Sequence, residues 1–114
     1  MAKIFYSETA LEDAEKALRV IDEYFAGKDS SELGEKHKDL FDNELLRQEQ
    51  LLSEFPELYA EHEGFRCGPH GTKVRVFHVH WFVAFYTYDK DADIVCIWYF
   101  RLSRSDYSGL FAVR

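Results

Sequence analysis

The stretch that decides the fold is residues 73–102, KVRVFHVHWFVAFYTYDKDADIVCIWYFRL. Its first part, residues 73–89, contains no Gly, Pro, Asn or Ser and would span about 56 Å as one strand, far beyond the usual strand length. The chain must therefore reverse, and the polar interruption at residues 78–80 is the best place for it. A second reversal is expected at residues 89–93, where three Asp residues favour a turn. The sequence thus predicts three consecutive strands, near residues 73–78, 80–88 and 94–102.

The second of these predicted strands is apolar on both alternating faces. One face carries Trp81, Val83 and Phe85, and the other carries Phe82, Ala84 and Tyr86. A strand of this kind lies centrally in a sheet or is covered on both sides. The rest of the chain must therefore supply cover for the sheet.

Two amphipathic helices are predicted before the strands. The first carries apolar side chains at spacings of 3, 4, 3 and 4, at Leu11, Ala14, Leu18, Ile21 and Phe25. The second runs from residue 31 or 32 to about residue 54, and its stripe is Phe41, Leu45, Gln48, Leu52 and Phe55. Pro56 ends it. The turn between the helices is short, so they should form an antiparallel hairpin.

The remaining segments complete the predicted order of elements. Residues 3–6 form a short apolar strand that is expected to join the sheet. Residues 57–72 contain several Gly and Pro residues and are expected to form a long loop, with one helical turn over residues 57–63. The order is β-α-α-β-β-β. We therefore predict an α+β fold, a helical hairpin packed on a small twisted antiparallel sheet, in one domain that covers residues 1–114.

Charge is divided unevenly along the chain. The net charge is −7, but residues 1–64 carry 7 basic and 17 acidic side chains, whereas residues 65–114 carry 7 basic and 4 acidic ones. The first half would repel nucleic acid and the second would attract it weakly. There is no signal peptide and no long apolar run, so we predict a cytoplasmic protein that does not enter a membrane.

The two cysteines do not form a disulfide framework. Cys96 lies among apolar residues of a predicted strand and should be a small buried hydrophobe. Cys67 and His70, together with His78 and His80, offer four ligand types that suit zinc. Their spacing matches no standard zinc finger, so we expect neither a metal nor another cofactor.

A resemblance to a known family rests on the order of several loose motifs. These are a short first strand at residues 3–6, two helices, Pro56, the Arg-bearing strand 74–77, the sequence VAFYTYD at residues 83–89, and a last strand that ends in a basic polar turn near residues 97–106. This order resembles the RelE/ParE superfamily of type II toxin–antitoxin toxins and spans nearly the whole chain. The resemblance implies a growth-inhibiting toxin and a cognate antitoxin protein as its partner. It also implies that the target is mRNA on the ribosome or DNA gyrase.

Some site residues are implied by the same resemblance. Arg75 matches the strand Arg of the family, and Arg104 followed by Tyr107 resembles the ending of the mRNA-cleaving members, with one residue fewer before the Tyr. Gyrase-inhibiting members often have a His at the end of the last strand, where this chain has Leu102. The mRNA-cleaving members are also usually strongly basic, and this chain is not.

Cleavage of RNA through the 2′-hydroxyl would need a base, an acid and cations that hold the phosphate. His78 and His80 titrate near neutral pH and could transfer protons. The phosphate could be held by Arg75, Arg101 and Arg104, and Tyr107 could stack on a base or donate a proton. Arg75 and Arg101 are expected on neighbouring strands. The alternative interpretation, surface arginines at a sheet edge and histidines in a turn, is at least as common for such residues.

Three functions follow from this interpretation. The first is metal-independent mRNA cleavage on the ribosome, which the ending with Arg104 and Tyr107 and the positive second half favour. The second is inhibition of DNA gyrase, which needs no catalytic groups. The third is a degenerate family member that binds only antitoxin and operator DNA, which the acidic net charge allows.

Overall fold

The structure, a computed structural model, describes residues 1–67 and 71–103. Within them the chain forms two helices and five strands. In chain order these are β1 (Lys3–Tyr6), α1 (Glu8–Ala26), α2 (Ser31–Glu54), β2 (Glu61–Cys67), β3 (Thr72–Val79), β4 (Phe82–Asp89) and β5 (Ile94–Leu102). The helical hairpin packs on one face of the sheet, so the predicted α+β fold is confirmed.

Both predicted chain reversals are present. Val79 pairs with Phe82, so the first reversal is a two-residue turn made of His80 and Trp81, slightly later than predicted. His80 has φ 54°, a left-handed conformation that His adopts more readily than most residues. In the second reversal the side chain of Asp89 accepts hydrogen bonds from the backbone N–H groups of two following residues. This is the local bonding that makes Asp a turn-forming residue.

The sheet is mixed, and not antiparallel throughout as the sequence suggested. Its strand order is β1-β5-β4-β3-β2, in which β1 runs parallel to β5 and the other neighbours are antiparallel. The predicted meander β3-β4-β5 is therefore correct. The two-helix connection returns the chain to the far side of β5, where β1 becomes an edge strand.

The prediction of a long loop over residues 57–72, with a helical turn over residues 57–63, is correct for residues 57–60 as a loop but wrong for Glu61–Cys67. β2 occupies residues that the sequence assigned to this loop, and it pairs antiparallel with β3. The register shifts between His62 and Arg66, so the pairing is irregular. Local sequence gives little sign of a strand here, because Glu and Gly are poor strand formers. Pairing with the free edge of β3 overrides that preference by satisfying backbone hydrogen-bonding groups.

The main core lies between the helices and the sheet. On α1 the buried residues are Ala10, Asp13, Ala17, Ile21 and Phe25, whereas Leu11, which was assigned to the buried stripe, is exposed. Phe55, assigned to the stripe of the second helix, is also exposed. The buried row of α1 contains two alanines, which permit a close approach to the sheet. The side chain of Ser7 caps this helix and accepts from Ala10 N at 3.0 Å.

A second, smaller cluster lies on the sheet face opposite the helices. Val74, Val83 and Phe85 are buried there, and Val76 and Tyr99 pack against them. β4 is thus buried on both faces, as its apolar pattern predicted. Neither helix is long and apolar enough to cross a bilayer.

Candidate functional site

Arg75, a predicted phosphate ligand, is occupied by contacts within the fold. Its guanidinium donates to the backbone carbonyl oxygens of Tyr59 and Glu57, and it lies 3.3 Å from the carboxylate of Glu61 and 3.5 Å from that of Glu57. Only 11% of the Arg75 side chain is exposed. Because a guanidinium donates in a fixed planar fork, these contacts fix its direction. Arg75 therefore holds the segment before β2 against β3.

A neighbouring set of polar groups ties the same segment to the helices. The hydroxyl of Tyr86 donates to Pro56 O at 3.1 Å, and that of Tyr59 donates to Gln48 Oε1 at 2.7 Å. Gln48 in turn donates to His78 O at 3.4 Å. Burial raises the pKa of Tyr86 to about 12, so its phenol stays protonated and remains a donor at physiological pH. These bonds fix residues 56–59 to β4 and to α2, so the segment has a structural role.

Arg101, the second predicted phosphate ligand, forms a buried ion pair. Its Nη1 lies 2.6 Å from Asp13 Oδ2 on α1 and donates to Phe100 O at 2.8 Å. The Asp13 carboxylate, only 9% exposed, also accepts from Phe100 N at 3.2 Å. The guanidinium lies 5.5 Å from the centre of the Tyr99 ring. Because β1 pairs only with the first half of β5, these side-chain contacts satisfy backbone groups at an otherwise open strand edge.

The expectation that Arg75 and Arg101 lie on neighbouring strands was wrong. β4 runs between β3 and β5, and Arg75 pairs with Tyr86 of β4, whereas Arg101 pairs with Val83. Two strand spacings and three residues of offset separate their Cα atoms by about 14 Å. The guanidinium groups face different partners and do not converge on one position.

The two predicted proton-transfer residues have different environments. His78 is exposed on β3, whereas His80 lies in the turn and is half-buried. His80 Nε2 lies 2.8 Å from Nδ1 of His37 on α2, and the backbone N–H of His80 donates to the Glu44 carboxylate. Burial lowers the pKa of His80, as does the neighbouring His37, while Glu44 acts in the opposite direction. These effects together favour the neutral form of the His80 imidazole.

His37 and the surface around it were not predicted from the sequence. His37 lies on α2, 43 residues from His80, and no local pattern connects the two. An open cleft adjoins their contact, lined by Val20, Tyr24, His80, Trp81, Leu102 and Ser103. The Tyr24 ring, half of it exposed, meets the Trp81 ring edge-on at 5.3 Å between centres. Exposed aromatic side chains of this kind are common in binding surfaces.

The remaining predicted site residues lie outside the described part of the chain. These are Arg104, Tyr107 and His70, together with the side chain of Cys67. Within residues 1–67 and 71–103, no three His, Cys, Asp or Glu side chains are arranged to hold a metal ion. Cys96 is half-buried, less than expected, and burial raises the pKa of its thiol, so it is a poor nucleophile.

Comparison with known proteins identifies the family. A protein-family model described as "ParE toxin of type II toxin-antitoxin system, parDE" matches residues 5–107. Comparison with curated proteins gave no match. The matched range includes all seven helices and strands of the described structure except the start of β1. The chain therefore belongs to the ParE toxin family of type II toxin–antitoxin systems.

Proposed function

We propose that this toxin inhibits growth by binding DNA gyrase. Family membership implies an antitoxin partner, and the resemblance of the chain to the RelE/ParE superfamily allows two targets, gyrase and mRNA. Inhibition by binding requires a complementary surface and no catalytic groups. The match to the ParE family model establishes the toxin family and does not separate these two targets, so the choice between them rests on the side chains of the described residues.

The observation that carries this proposal is the state of the two strand arginines. Phosphoryl cleavage needs cationic donors aimed at the charge that develops on the phosphate. Arg75 instead contacts two carbonyl oxygens and two carboxylates, and Arg101 contacts the buried Asp13 carboxylate. Freeing Arg101 for RNA would leave the buried Asp13 carboxylate without its cation, and freeing Arg75 would break four contacts that position the segment before β2. The described residues thus favour a binding function.

The surface beside α1 is suited to protein contact. Val20, Tyr24 and Leu102 are each more than a third exposed, and they surround the half-buried Trp81. Aromatic and aliphatic side chains of this kind form the centre of many protein interfaces. The acidic side chains of α1 and α2 make the helical side of the molecule repel DNA. Because of this repulsion, we expect the toxin to bind a protein surface of gyrase rather than the DNA that gyrase holds.

Cleavage of mRNA is the second candidate, and one observation favours it. The lowered pKa of His80 keeps its imidazole neutral, which is the form that a general base needs. The sequence similarity of Arg104 and Tyr107 to the ending of mRNA-cleaving members points the same way. Against it, His80 Nε2 is already engaged by His37 at 2.8 Å.

Two assays run in parallel test the proposal. The purified toxin is added to bacterial DNA gyrase, relaxed plasmid and ATP, and supercoiling is followed on gels, with the toxin–antitoxin complex as the inactive control. In cells, primer extension on abundant mRNAs follows induction of the toxin. We expect loss of supercoiling in the first assay and intact mRNA in the second. Cleavage within codons with normal supercoiling would overturn the proposal in favour of RNA cleavage, and no effect in either assay would indicate the binding-only member.

A further inference from the structure

A contact between the imidazole rings of His37 and His80 joins α2 to the β3–β4 turn. His37 lies on α2, and His80 lies in the β3–β4 turn, with 2.8 Å between Nδ1 of the first and Nε2 of the second. The His37 ring stacks on Phe25 at 4.7 Å, and the His80 ring lies 4.6 Å from that of Trp81. The rings are therefore held by their neighbours as well as by each other.

The chemistry of imidazole makes this contact depend on protonation. A neutral imidazole has one N–H and one bare nitrogen, so one ring must donate and the other must accept. When both rings are protonated, an N–H group faces an N–H group, and the hydrogen bond is lost. Nδ1 of His80 is also buried and has no hydrogen-bond partner in the part of the chain that the structure describes. A charged His80 would therefore hold a buried N–H group without an acceptor.

The groups around the pair are mostly uncharged. α1 presents the rings of Tyr24 and Phe25, and the cleft beside His80 is also lined by Leu102 at the end of β5 and by Ser103 after it. On α2 the charged group beside His80 is Glu44, which accepts from the His80 backbone. Glu44 would stabilise a first positive charge on the pair.

A group of three charged side chains lies beside His37, with Lys38 and Glu35 on α2 and Asp22 on α1. Lys38 contacts Asp22 at 3.1 Å and Glu35 at 2.6 Å, and its ammonium is satisfied by these carboxylates. No hydrogen bond joins either carboxylate to His37 or His80 within the described residues. The surroundings thus tolerate one added proton on the histidine pair better than two.

We propose that His37 and His80 form a proton-operated latch, which holds the His80 ring against α2 at neutral pH and releases the ring in mild acid, while the backbone bond to Glu44 keeps the turn in place. The turn carries Trp81 and forms one wall of the cleft beside Tyr24. Release of the latch changes the shape of this cleft. The latch therefore couples the protonation state of the toxin to the surface beside α1.

The direction of the pH effect follows from the His80 environment. In the unfolded chain a His takes up its proton near pH 6.5, whereas burial lowers the pKa of His80 in the folded state. Below pH 6.5 the unfolded state therefore binds more protons than the folded one, and stability declines as the pH falls toward the folded pKa. Above pH 6.5 the contribution of the latch is complete.

The first test is a titration of the histidine rings by nitrogen NMR on the full-length toxin, between pH 8 and pH 5. We expect the rings of His37 and His80, but not that of the exposed His78, to show fixed tautomers at pH 7.5. His37 lowers the pKa of His80, so in His37→Leu the titration midpoint of His80 should rise by about half a pH unit or more, a threefold change in proton affinity. If His80 titrates identically in both proteins, the latch does not exist.

The second test is the unfolding equilibrium in urea as a function of pH. We expect the wild type to lose stability relative to His80→Asn by up to about tenfold in the equilibrium constant per pH unit below pH 6.5. Asn tolerates the left-handed backbone of this position, and His78→Gln is the matched control that should follow the wild type. Parallel curves for the wild type and His80→Asn would overturn the proposal. If His80→Asn does not fold, the NMR titration decides alone.

Discussion

Arg75 and Arg101 lie on opposite sides of the central strand and stabilise the fold in different ways. Arg75 binds backbone carbonyls of the segment before β2, and its acidic partners Glu57 and Glu61 are both more than 40% exposed. Arg101 binds one carboxylate, Asp13, which is 9% exposed. If Arg75 were removed, water could hydrate the exposed carboxylates of Glu57 and Glu61. Water cannot easily reach the carboxylate of Asp13. The same residue type therefore stabilises a surface segment in one place and a buried charge in the other.

The largest effect is expected for Arg101→Met. This change leaves the Asp13 carboxylate buried beside Phe100 N with no cation. Breaking a fully buried pair costs about 3–5 kcal/mol, and since Arg101 is 29% exposed we expect about 2–3 kcal/mol here. The free energy of unfolding in urea measures it.

The matched control for Arg101→Met is the double variant Asp13→Asn with Arg101→Met. Removing the charge of Asp13 removes the reason for the loss, so the double variant should be more stable than Arg101→Met alone. An equal or lower stability of the double variant would show that the ion pair is not what Arg101 contributes.

Sequence reasoning succeeded where the signal is local. The two apolar faces of β4 and the Asp-rich turn at residues 89–93 are determined by residues close together in the sequence, and both were predicted correctly. The role of Arg101 could not be predicted in the same way, because its partner Asp13 is 88 residues away. An Arg on a strand has the same local appearance whether it faces phosphate or a buried carboxylate.

The same limit explains the other errors. β2 became visible only through its pairing with β3, since Glu61 and its neighbours have weak strand preference. His37 gave no local sign of its contact with His80. The parallel position of β1 depends on where the two-helix connection ends, which no short motif encodes.

A smaller effect is expected for Arg75→Met. The change removes hydrogen bonds to two exposed or half-exposed carbonyl groups, so we expect a loss of about 1–2 kcal/mol in the free energy of unfolding. The loss should be local. Hydrogen exchange should become faster in residues 57–63 and remain unchanged at the open edge of β5. Faster exchange across the whole sheet would mean that the two arginines do not differ as described.

The smallest effect is expected for Tyr86→Phe, which tests whether Arg75 and Tyr86 hold the same segment. The change removes one hydrogen bond, to Pro56 O, and we expect a loss of about 1 kcal/mol. Because Pro56 precedes the carbonyls that Arg75 binds, the losses from Arg75→Met and Tyr86→Phe should be non-additive by about 0.5 kcal/mol or more. Tyr86 on β4 and Arg101 on the neighbouring β5 are about 11 Å apart and share no partner, so Tyr86→Phe and Arg101→Met should be additive. Each pair of variants forms a double-mutant cycle that is measured by unfolding in urea, and the pair Tyr86→Phe with Arg101→Met is the control. Coupling of equal size in both cycles would show that the two sides of the sheet are not independent.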